Sequence, residues 1–447
     1  MVAIRECNKL RNSLIRKFAI RNYFSMPHAP CSMPYAIQRF SMDIDANSGL
    51  YGMAMTSENQ PKYRFDRMEV AGSLGDLGTL LPIAIGMILL NKLHATNVFV
   101  LIGLFYIVAG HYFGVPVPVQ PMKVIGAYAI AVGLTPTQIV ASSLWMGIFV
   151  LGLGTTGLIQ VIGKYTPKST VRGVQLGVGV VLMIKGLKLM ILPDPNLAIQ
   201  ALGPVSLSIL LGAGGLVLTF LLLDNKKLPA ALVLIFLGIL LGLFIGKPLD
   251  AASFNWSIHF PKLIPYGWPS VEEFLWVLPI LVLPQIPMTI GNAIISNTDI
   301  MHEYFGERAR RATYRSVANS QGLADIVSFF LGGIPMCHGA GGLAAHYRFG
   351  ARTAGSNLII GGIFVLLAVI FGENTVAILK LLPFSILGVL LVFAGLQLTL
   401  MIQDLKDRKD LFVALFMLGI TLAANLGVAF IVGIIVAYGF KSDKLTI

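Results

Sequence analysis

Apolar stretches of membrane-spanning length, separated by short polar breaks, follow one another from Ala71 to the end of the chain. About 20 apolar residues are enough for a helix to cross a bilayer. In the first half the predicted spans lie at about 71–91, 96–113, 115–133, 136–163, 168–190, 204–223 and 228–246. In the second half they lie at about 271–297, 316–333, 335–347, 354–371, 375–403, 410–424 and 425–441. The pattern predicts an all-α polytopic membrane protein with 14 spans.

The third and tenth predicted spans are interrupted by residues that cannot continue a helix. The third opens with Val115-Pro-Val-Pro-Val-Gln-Pro-Met-Lys123, whose prolines lack backbone donors. The tenth opens with Gly332-Gly-Ile-Pro-Met-Cys-His-Gly-Ala-Gly-Gly342. Broken backbone at membrane depth is tolerated only where it is packed in protein or lines a cavity. Because the two breaks occupy corresponding places in the two halves, they predict a transporter binding site between two half-helices.

The two sets of seven spans predict an internal repeat. Because an odd number of spans reverses the orientation of the second set, the repeat is inverted. The predicted domains are a first repeat at 67–246, an interfacial connection at 247–270, a second repeat at 271–441 and a short C-terminal tail at 442–447. The connection contains Trp256, Tyr266 and Trp268, which are residue types typical of a membrane surface.

Basic residues alternate between the predicted loops, and this tests the span count because Lys and Arg collect on the inner side of a membrane. With the N-terminus inside, the inner loops contain Lys164, Lys168, Arg172, Lys226, Lys227, Arg308, Arg310, Arg311, Arg315, Arg348, Arg352, Lys406, Arg408, Lys409, Lys441 and Lys444. The outer loops contain only Lys92, Lys185, Lys188, Lys247, Lys262 and Lys380. Lys123 alone remains within a span. The alternation favours both termini inside.

Residues 1–66 differ from the rest of the chain. Their opening is basic and poor in acids, a composition of both organelle presequences and disordered tails. They can also be leader translated upstream of a start at Met42, Met55 or Met68. Because no predicted span needs this stretch, we favour a poorly ordered tail or an upstream start. The predicted location is the plasma membrane, with an organelle membrane as the alternative if the tail is a presequence.

Composition narrows the class of protein. The chain is 56% hydrophobic and 12% charged, which excludes a soluble globular protein. Its net charge of +12 comes from short basic runs between apolar segments, so nucleic-acid binding is not expected. Cys7, Cys31 and Cys337 show neither paired nor CxxC spacing, so no disulfide, metal site or cofactor is predicted.

Polar residues inside spans are candidate site residues, because each is costly in lipid. Asp76 and Thr79 share one face of the first span, although Asp76 can instead cap that span at the inner surface. Gln285, Thr289 and Asn292 share one face of the eighth span. Polar side chains on one face can instead bond neighbouring helices, so that alternative stays open for this set.

The two breaks supply the remaining candidates for a binding site. A half-helix that begins near Pro121 points free N–H groups and its positive end into the membrane, with Gln120 and Lys123 beside it. Glycines of the second break allow a ligand to approach the backbone closely. That break supplies Cys337, His338, Gly339, Ala340, Gly341 and Gly342. A pocket of this composition favours an anion.

Three titratable residues have more than one interpretation. His338 is either a ligand or a packing or gating residue, because a lone histidine is weak evidence of binding. Asp76 and Asp325 are candidates for proton or cation coupling. Asp325 can instead neutralise a basic neighbour.

The motifs that contain these residues closely resemble those of the molybdate transporter family, which is related to the sulfate permeases. The similarity covers about residues 67–441 and rests on Gly75-Asp-Leu-Gly-Thr79, Pro118-Val-Gln-Pro-Met-Lys123, Leu283-Pro-Gln-Ile-Pro287, Pro335-Met-Cys-His-Gly-Ala-Gly-Gly-Leu343 and Tyr347-Arg-Phe-Gly-Ala-Arg352. It implies the seven-plus-seven inverted-repeat fold shared with uracil-type transporters. In that fold short strands precede the two half-helices and the substrate lies between them. A core domain of spans one to four and eight to eleven moves against a gate domain.

The sequence therefore predicts a secondary active transporter that moves a tetrahedral oxyanion by alternating access, with molybdate preferred and sulfate second. A nucleobase-type proton symporter is one alternative, but it expects a carboxylate where Gln285 stands. An anion channel is another, because proline-broken segments also build filters. No HExxH or GxSxG motif occurs, so an enzyme is not predicted. The expected partners are the oxyanion and the lipid bilayer, while a homodimer and the coupling ion stay open.

Overall fold

The structure is a computed structural model that describes residues 61–441, apart from residues 160, 162–164, 224, 226–228, 249–253 and 255–256. The predictions for residues 1–60 and 442–447 therefore lie outside the described residues. The same holds for Lys164, Lys226, Lys227 and Trp256. The described part of the chain is almost entirely helical, with two pairs of two-residue strands.

The first half contains eight helices among the residues described. They are α1 (Arg67–Ser73), α2 (Leu77–Leu90), α3 (Ala95–Phe113), α4 (Lys123–Val132), α5 (Pro136–Thr156), α6 (Lys168–Ile191), α7 (Leu207–Leu222) and α8 (Ala230–Ile245). Strand β1 (Gln120–Pro121) precedes α4, and β2 (Ala201–Leu202) pairs with β3 (Val205–Ser206) before α7. Helix α5 ends at Gly157, whose positive φ of 78° terminates the helix before the predicted end of that span.

The second half opens with one long element, Val271–Ala309. It contains α9 (Val271–Val277), α10 (Leu283–Met288) and α11 (Asn297–Phe305), joined by π-helical segments at Leu278–Val282 and Thr289–Ser296. The following elements are α12 (Tyr314–Phe330), β4 (Met336–Cys337), α13 (Ala340–Arg348), α14 (Gly355–Phe371), α15 (Asn374–Leu379), α16 (Phe384–Thr399), α17 (Arg408–Ala423) and α18 (Leu426–Lys441). Prolines remove donors from the helical ladder, and this explains the widened turns beside α10.

One predicted span is divided in the structure. The stretch 375–403 forms the short helix α15 and the longer helix α16, with Pro383 immediately before α16. Because Pro383 has no backbone N–H to donate, it suits the start of α16 and cannot continue α15. The predicted span at about 375–403 therefore contains two helices, and the element long enough to cross a membrane is Phe384–Asp404.

Residues 62–66 belong to the folded structure, although the sequence assigns them to the tail. The N–H of Arg64 donates to Thr353 Oγ1 at 3.0 Å, and the Lys62 carbonyl accepts from Ala354 N at 3.2 Å. Asp66 caps α1 by accepting from the N–H groups of its first turn. The described end of the tail thus packs against the segment that precedes α14.

Glycines allow three pairs of helices to approach closely. Helix α3 packs on α14, α5 packs on α12 and α6 packs on α16. A Cβ on Gly103 of α3 would lie 2.6 Å from the carbonyl oxygen of Gly361 on α14. In the same way, a Cβ on Gly361 would lie 2.6 Å from the carbonyl oxygen of Gly103. Gly186 and Gly388 have the same reciprocal relation between α6 and α16 at 2.5 Å. Small residues of this kind are typical of helix interfaces in membranes.

Five helical elements among the described residues are long and apolar enough to cross a membrane. They are Ala95–Phe113, Pro136–Thr156, Lys168–Ile191, Val271–Ala309 and Phe384–Asp404, and the bent pair α1 and α2 makes a sixth. Helices α4, α7, α8, α14 and α18 are apolar but shorter, at 10 to 17 residues. The chain is therefore an integral multi-pass helical membrane protein, while the count of 14 spans remains a prediction.

Candidate functional site

The two predicted breaks meet in the structure and form one short sheet. Strand β1 of the first break pairs antiparallel with β4 of the second, with Gln120 opposite Cys337 and Pro121 opposite Met336. The Met122 N–H donates to the Pro335 carbonyl at 2.8 Å and extends the pairing. Proline prevents a helix here, so the backbone groups on each side bond across the breaks instead. Half-helices α4 and α13 then start directly from the two strands.

Asp76 and Gln120 form the buried polar contact at this junction. Both oxygens of the Asp76 carboxylate lie 2.7 Å from Gln120 Nε2. Although Asp76 occupies the N-cap position of α2, its side chain makes no capping hydrogen bond. Thr79 is half-buried at the start of α2. Asp76 therefore links the first predicted span to the first break.

Two glycines of the second break border this contact. A Cβ on Gly339 would lie 2.0 Å from Gln120 Oε1, and a Cβ on Gly342 would lie 2.5 Å from Asp76 Oδ2. Glycine at these two positions leaves room for the contact, because a Cβ at either one would displace the Gln120 or Asp76 side chain. Gln120 Oε1 is itself buried without a hydrogen-bond partner among the described residues.

The N-terminus of half-helix α4 is capped by Gln285 from α10. Gln285 Oε1 accepts from the N–H of Val124 at 3.0 Å and lies 3.4 Å from the N–H of Ile125. Its Nε2 donates to Thr289 Oγ1 at 2.9 Å. The expectation of free N–H groups at this end therefore fails for Val124 and Ile125, because a side-chain oxygen from another helix reaches them first. Asn292, on the same element, is half-buried.

The N-terminus of half-helix α13 has no such cap. The N–H groups of Ala340 and Gly341 have no acceptor in the part of the chain that the structure describes. A Cβ built on Gly341 meets nothing within 4 Å, so this residue faces open space. Unsatisfied N–H groups and the positive end of the helix dipole together attract anions.

Lys123 is the cation of this region. It is the first residue of α4, is half-buried, and interacts electrostatically with Asp76 and Cys337. It forms no ion pair with an acid among the described residues. Its charge is therefore available to a ligand as well as to Asp76.

His338 is held by protein groups on every side. Its Nδ1 donates to the Pro118 carbonyl at 2.8 Å, because a carbonyl can only accept. Its Nε2 lies 3.1 Å from Ser320 Oγ, and the ring packs against Phe105 and Phe113. Neither ring nitrogen is left for a ligand, so the geometry favours the packing interpretation of His338.

Asp325 supports the second break from α12. Its Oδ1 accepts from the Met336 N–H at 2.7 Å, and its Oδ2 is buried without a described partner. It forms no ion pair with a described basic residue. The structure thus gives Asp325 a backbone partner where the sequence suggested a basic one.

Asn357 was missed at the sequence level. This α14 residue accepts from the N–H of Val117 at 3.0 Å and donates to the carbonyl of Val117 at 2.7 Å. One side-chain amide therefore satisfies both backbone groups of Val117, a residue of the first break. It also donates to the Tyr106 carbonyl at 3.1 Å. The available signal was a polar residue inside an apolar span, the same signal that identified Gln285.

No group of three or more His, Cys, Asp or Glu side chains that could hold a metal ion occurs among the described residues. The site is instead built from backbone donors, two amides, one carboxylate and one lysine.

Comparison with known proteins places the chain in a family. A family profile described as "Molybdate transporter of MFS superfamily" matches residues 68–182 and 278–398. Molybdate transporter 2 of Arabidopsis thaliana is 30% identical, over 80% of this chain and 83% of that protein. Molybdate transporter 1 of the same plant is 29% identical, over 89% of this chain and 93% of that protein.

The fold resembles a solved anion transporter. The structure of murine Slc26a9 in the inward-facing state superposes with a TM-score of 0.62 at 13% identity, covering 95% of this chain and 77% of that one. At this identity the likeness concerns the fold alone. The matched relatives are transporters rather than enzymes, and their extent over both halves shows that the chain belongs to the molybdate transporter family.

Proposed function

We propose that the chain is a secondary active transporter of a tetrahedral oxyanion, with molybdate as the preferred substrate and sulfate as the second. The observation that carries the proposal is the uncapped N-terminus of α13 beside the paired breaks. The N–H groups of Ala340 and Gly341 have no acceptor among the described residues, and a Cβ on Gly341 would meet nothing within 4 Å. Membership of the molybdate transporter family supports transport of an anion.

The chemistry of this position suits an oxyanion. Backbone N–H groups are neutral donors that bind the oxygens of an anion, and the helix dipole adds positive potential at the same place. Lys123 contributes a full charge from the opposite half-helix. We assign Gly341, Ala340 and Lys123 to direct binding, with Thr79 and Asn292 as further contacts. Asp76, Gln120, Pro121, Gln285, Thr289, Cys337, Gly339 and Gly342 then shape the site around them.

Proton coupling follows from the charge of Asp76. Its carboxylate lies against Gly342, the residue after Gly341, so a bound dianion would repel it. Lys123 is the charged group that interacts with Asp76, and it offsets only one of the three negative charges. We infer that Asp76 binds a proton when the oxyanion binds, which couples uptake to protons. Asp76→Asn should abolish stimulation of uptake by a pH gradient while leaving binding in place.

The helix pairs support a seven-plus-seven inverted repeat over 67–246 and 271–441. In the predicted span order, α3 on α14 is the second span on the eleventh, and α5 on α12 is the fourth on the ninth. A repeat that relates each span to the one seven places later exchanges these two pairs. The pair formed by α6 and α16 is the fifth span packed on the twelfth, and the same operation maps this pair onto itself. The first four spans of each repeat would form the core domain and the remaining spans the gate domain.

Two clusters agree with the proposed sidedness. Asp404 accepts from Arg172 at 2.9 and 2.6 Å and from Lys168 at 2.9 Å, all in predicted inner positions. Glu373, His94 and Lys262 meet in predicted outer positions. We therefore propose a plasma-membrane protein with both termini inside.

Uptake of radiolabelled molybdate into proteoliposomes tests the proposal. We expect saturable uptake, competition by sulfate, no competition by uracil, and stimulation by an inward proton gradient. Non-saturating flux would favour a channel, and inhibition by uracil would favour a nucleobase carrier. Either result would overturn the proposed function.

A further inference from the structure

Two adjoining cavities lie beside the site described above. The first, called here the basic pocket, has a volume of about 360 Å³ and is lined by Lys62, Arg308, Arg310 and Arg311, with Glu307 as its acid. The second, called the α3–α12 groove, has a volume of about 690 Å³ and runs between those two helices. Tyr112 lines both cavities, so the two are neighbours, and we treat them together as one cleft with a charged end and a mainly apolar end. Arg315 is the basic residue that lines the groove.

The α3–α12 groove has the dimensions of a hydrocarbon chain site. Its lining on α3 extends from Leu101 to Tyr112, about 16 Å at the rise of an α-helix. That length is about the hydrocarbon depth of one leaflet, half of the roughly 30 Å core of a bilayer. Val108 and Leu323, on opposite walls, are 62% and 60% exposed. The groove is therefore open to the exterior between Val108 and Leu323.

The basic pocket has a strong excess of positive charge. Four basic side chains face one glutamate, and Arg310 and Arg311 form no ion pair with an acid among the described residues. Arg311 donates to the Tyr112 carbonyl at 3.0 Å, which fixes it where the pocket joins the groove. Basic pockets between helices on the inner side of a membrane attract anionic headgroups. The basic residues here belong to loops predicted to face inward.

We propose that this cleft binds one anionic phospholipid, with its phosphorylated headgroup in the basic pocket and one acyl chain in the α3–α12 groove. A soluble phosphate satisfies only the charged end, whereas a neutral lipid satisfies only the apolar end. The groove reaches Met336, which pairs with Pro121 in the sheet of the substrate site. A bound chain therefore touches β4 and can influence transport. This inference does not depend on the identity of the transported anion.

Native mass spectrometry of the purified full-length protein tests the headgroup end. The probes are dioleoyl phosphatidylinositol 4-phosphate and dioleoyl phosphatidylcholine, which share the same acyl chains. We expect selective binding of the phosphoinositide, weakened about 25-fold by Arg310→Gln combined with Arg311→Gln, on the scale of about fivefold per basic residue. Arg408→Gln removes an exposed arginine that lines neither cavity and serves as the matched control.

Val108→Trp tests the apolar end, because an indole there fills the groove without touching the basic pocket. It should lower phosphoinositide binding at least fivefold while leaving the weak binding of soluble inositol 1,4-bisphosphate unchanged. Equal affinities for the lipid and the soluble headgroup would reduce the cleft to a polar anion site. Equal binding of phosphatidylcholine would reduce it to general lipid contact, and displacement of the lipid by molybdate would assign the pocket to the substrate path. Each of these outcomes would overturn the proposal.

Discussion

Half-helices α4 and α13 both start from the paired strands, but their N-termini are completed in different ways. At α4 the Gln285 amide oxygen accepts from Val124 N at 3.0 Å, and Lys123 adds a charge at the same end. At α13 the N–H groups of Ala340 and Gly341 have no acceptor among the described residues. One end is capped and charged, while the other is uncapped and neutral.

This difference suggests how two similar half-helices divide the work of binding. A capped end has few donors to offer, so α4 contributes mainly the long-range charge of Lys123. An uncapped end offers directed donors at short range, so α13 contributes the hydrogen bonds. The comparison therefore predicts that substitutions at α13 change binding more than substitutions at α4.

The largest effect is expected for Gly341→Val. The new side chain enters open space rather than protein, so the fold should persist while the oxyanion is excluded. Transport should fall about 100-fold or more, the scale of losing two charge-assisted hydrogen bonds. Gly362→Val on α14 also enters open space and is the matched control. Uptake by Gly341→Val within threefold of the unsubstituted protein would move the binding site away from α13.

Lys123→Gln should have the next largest effect. Loss of one charge-assisted contact of roughly 1.5–3 kcal/mol should weaken molybdate binding about tenfold or more. Lys380→Gln, an exposed lysine in a predicted outer loop, should leave binding unchanged. Equilibrium binding measured at several salt concentrations checks the charge. If Lys123→Gln binds molybdate normally, the charge of Lys123 serves only its longer-range interaction with Asp76.

The sequence predicted where the helices lie better than it predicted how their ends are capped. Span positions follow from apolar length, which is a local property, and β1 and β4 appear where proline and glycine interrupt the pattern. The caps depend on contacts between distant residues, such as Gln285 with Val124 and Asn357 with Val117. A sequence shows that such amides need partners but not which partners they find. His338 illustrates this limit, because two neighbours already occupy its ring nitrogens.

Gln285→Ala tests the role of the cap at the N-terminus of α4. Removing the cap leaves two N–H groups of α4 without their acceptor, so the free energy of unfolding should fall by about 1–2 kcal/mol. Molybdate affinity should change less than twofold, because the hydrogen bonds to the anion come from α13. Thermal unfolding in detergent and equilibrium binding measure the two quantities separately. A large loss of affinity with unchanged stability would instead make Gln285 a direct ligand.

His338→Ala should act on stability alone. The substitution breaks contacts with Pro118 and Ser320 and leaves a cavity against two phenylalanines, which should cost about 1–3 kcal/mol. Molybdate affinity in the folded fraction and the pH dependence of uptake should both persist. If the pH dependence disappears in this variant, His338 rather than Asp76 is the titrating group.

The smallest effect is expected for truncation of the N-terminal residues. It distinguishes a variant that begins at Met55 from one that begins at Met68. A variant that begins at Met55 keeps residues 62–66, including Lys62 and Arg64, which bond to the segment before α14. It should insert, unfold and transport like the full chain. A variant that begins at Met68 also loses Asp66, which caps α1, and should be less stable by about 1–2 kcal/mol. Equal stability of the two variants in thermal unfolding would show that the contacts of residues 62–66 contribute nothing to the fold.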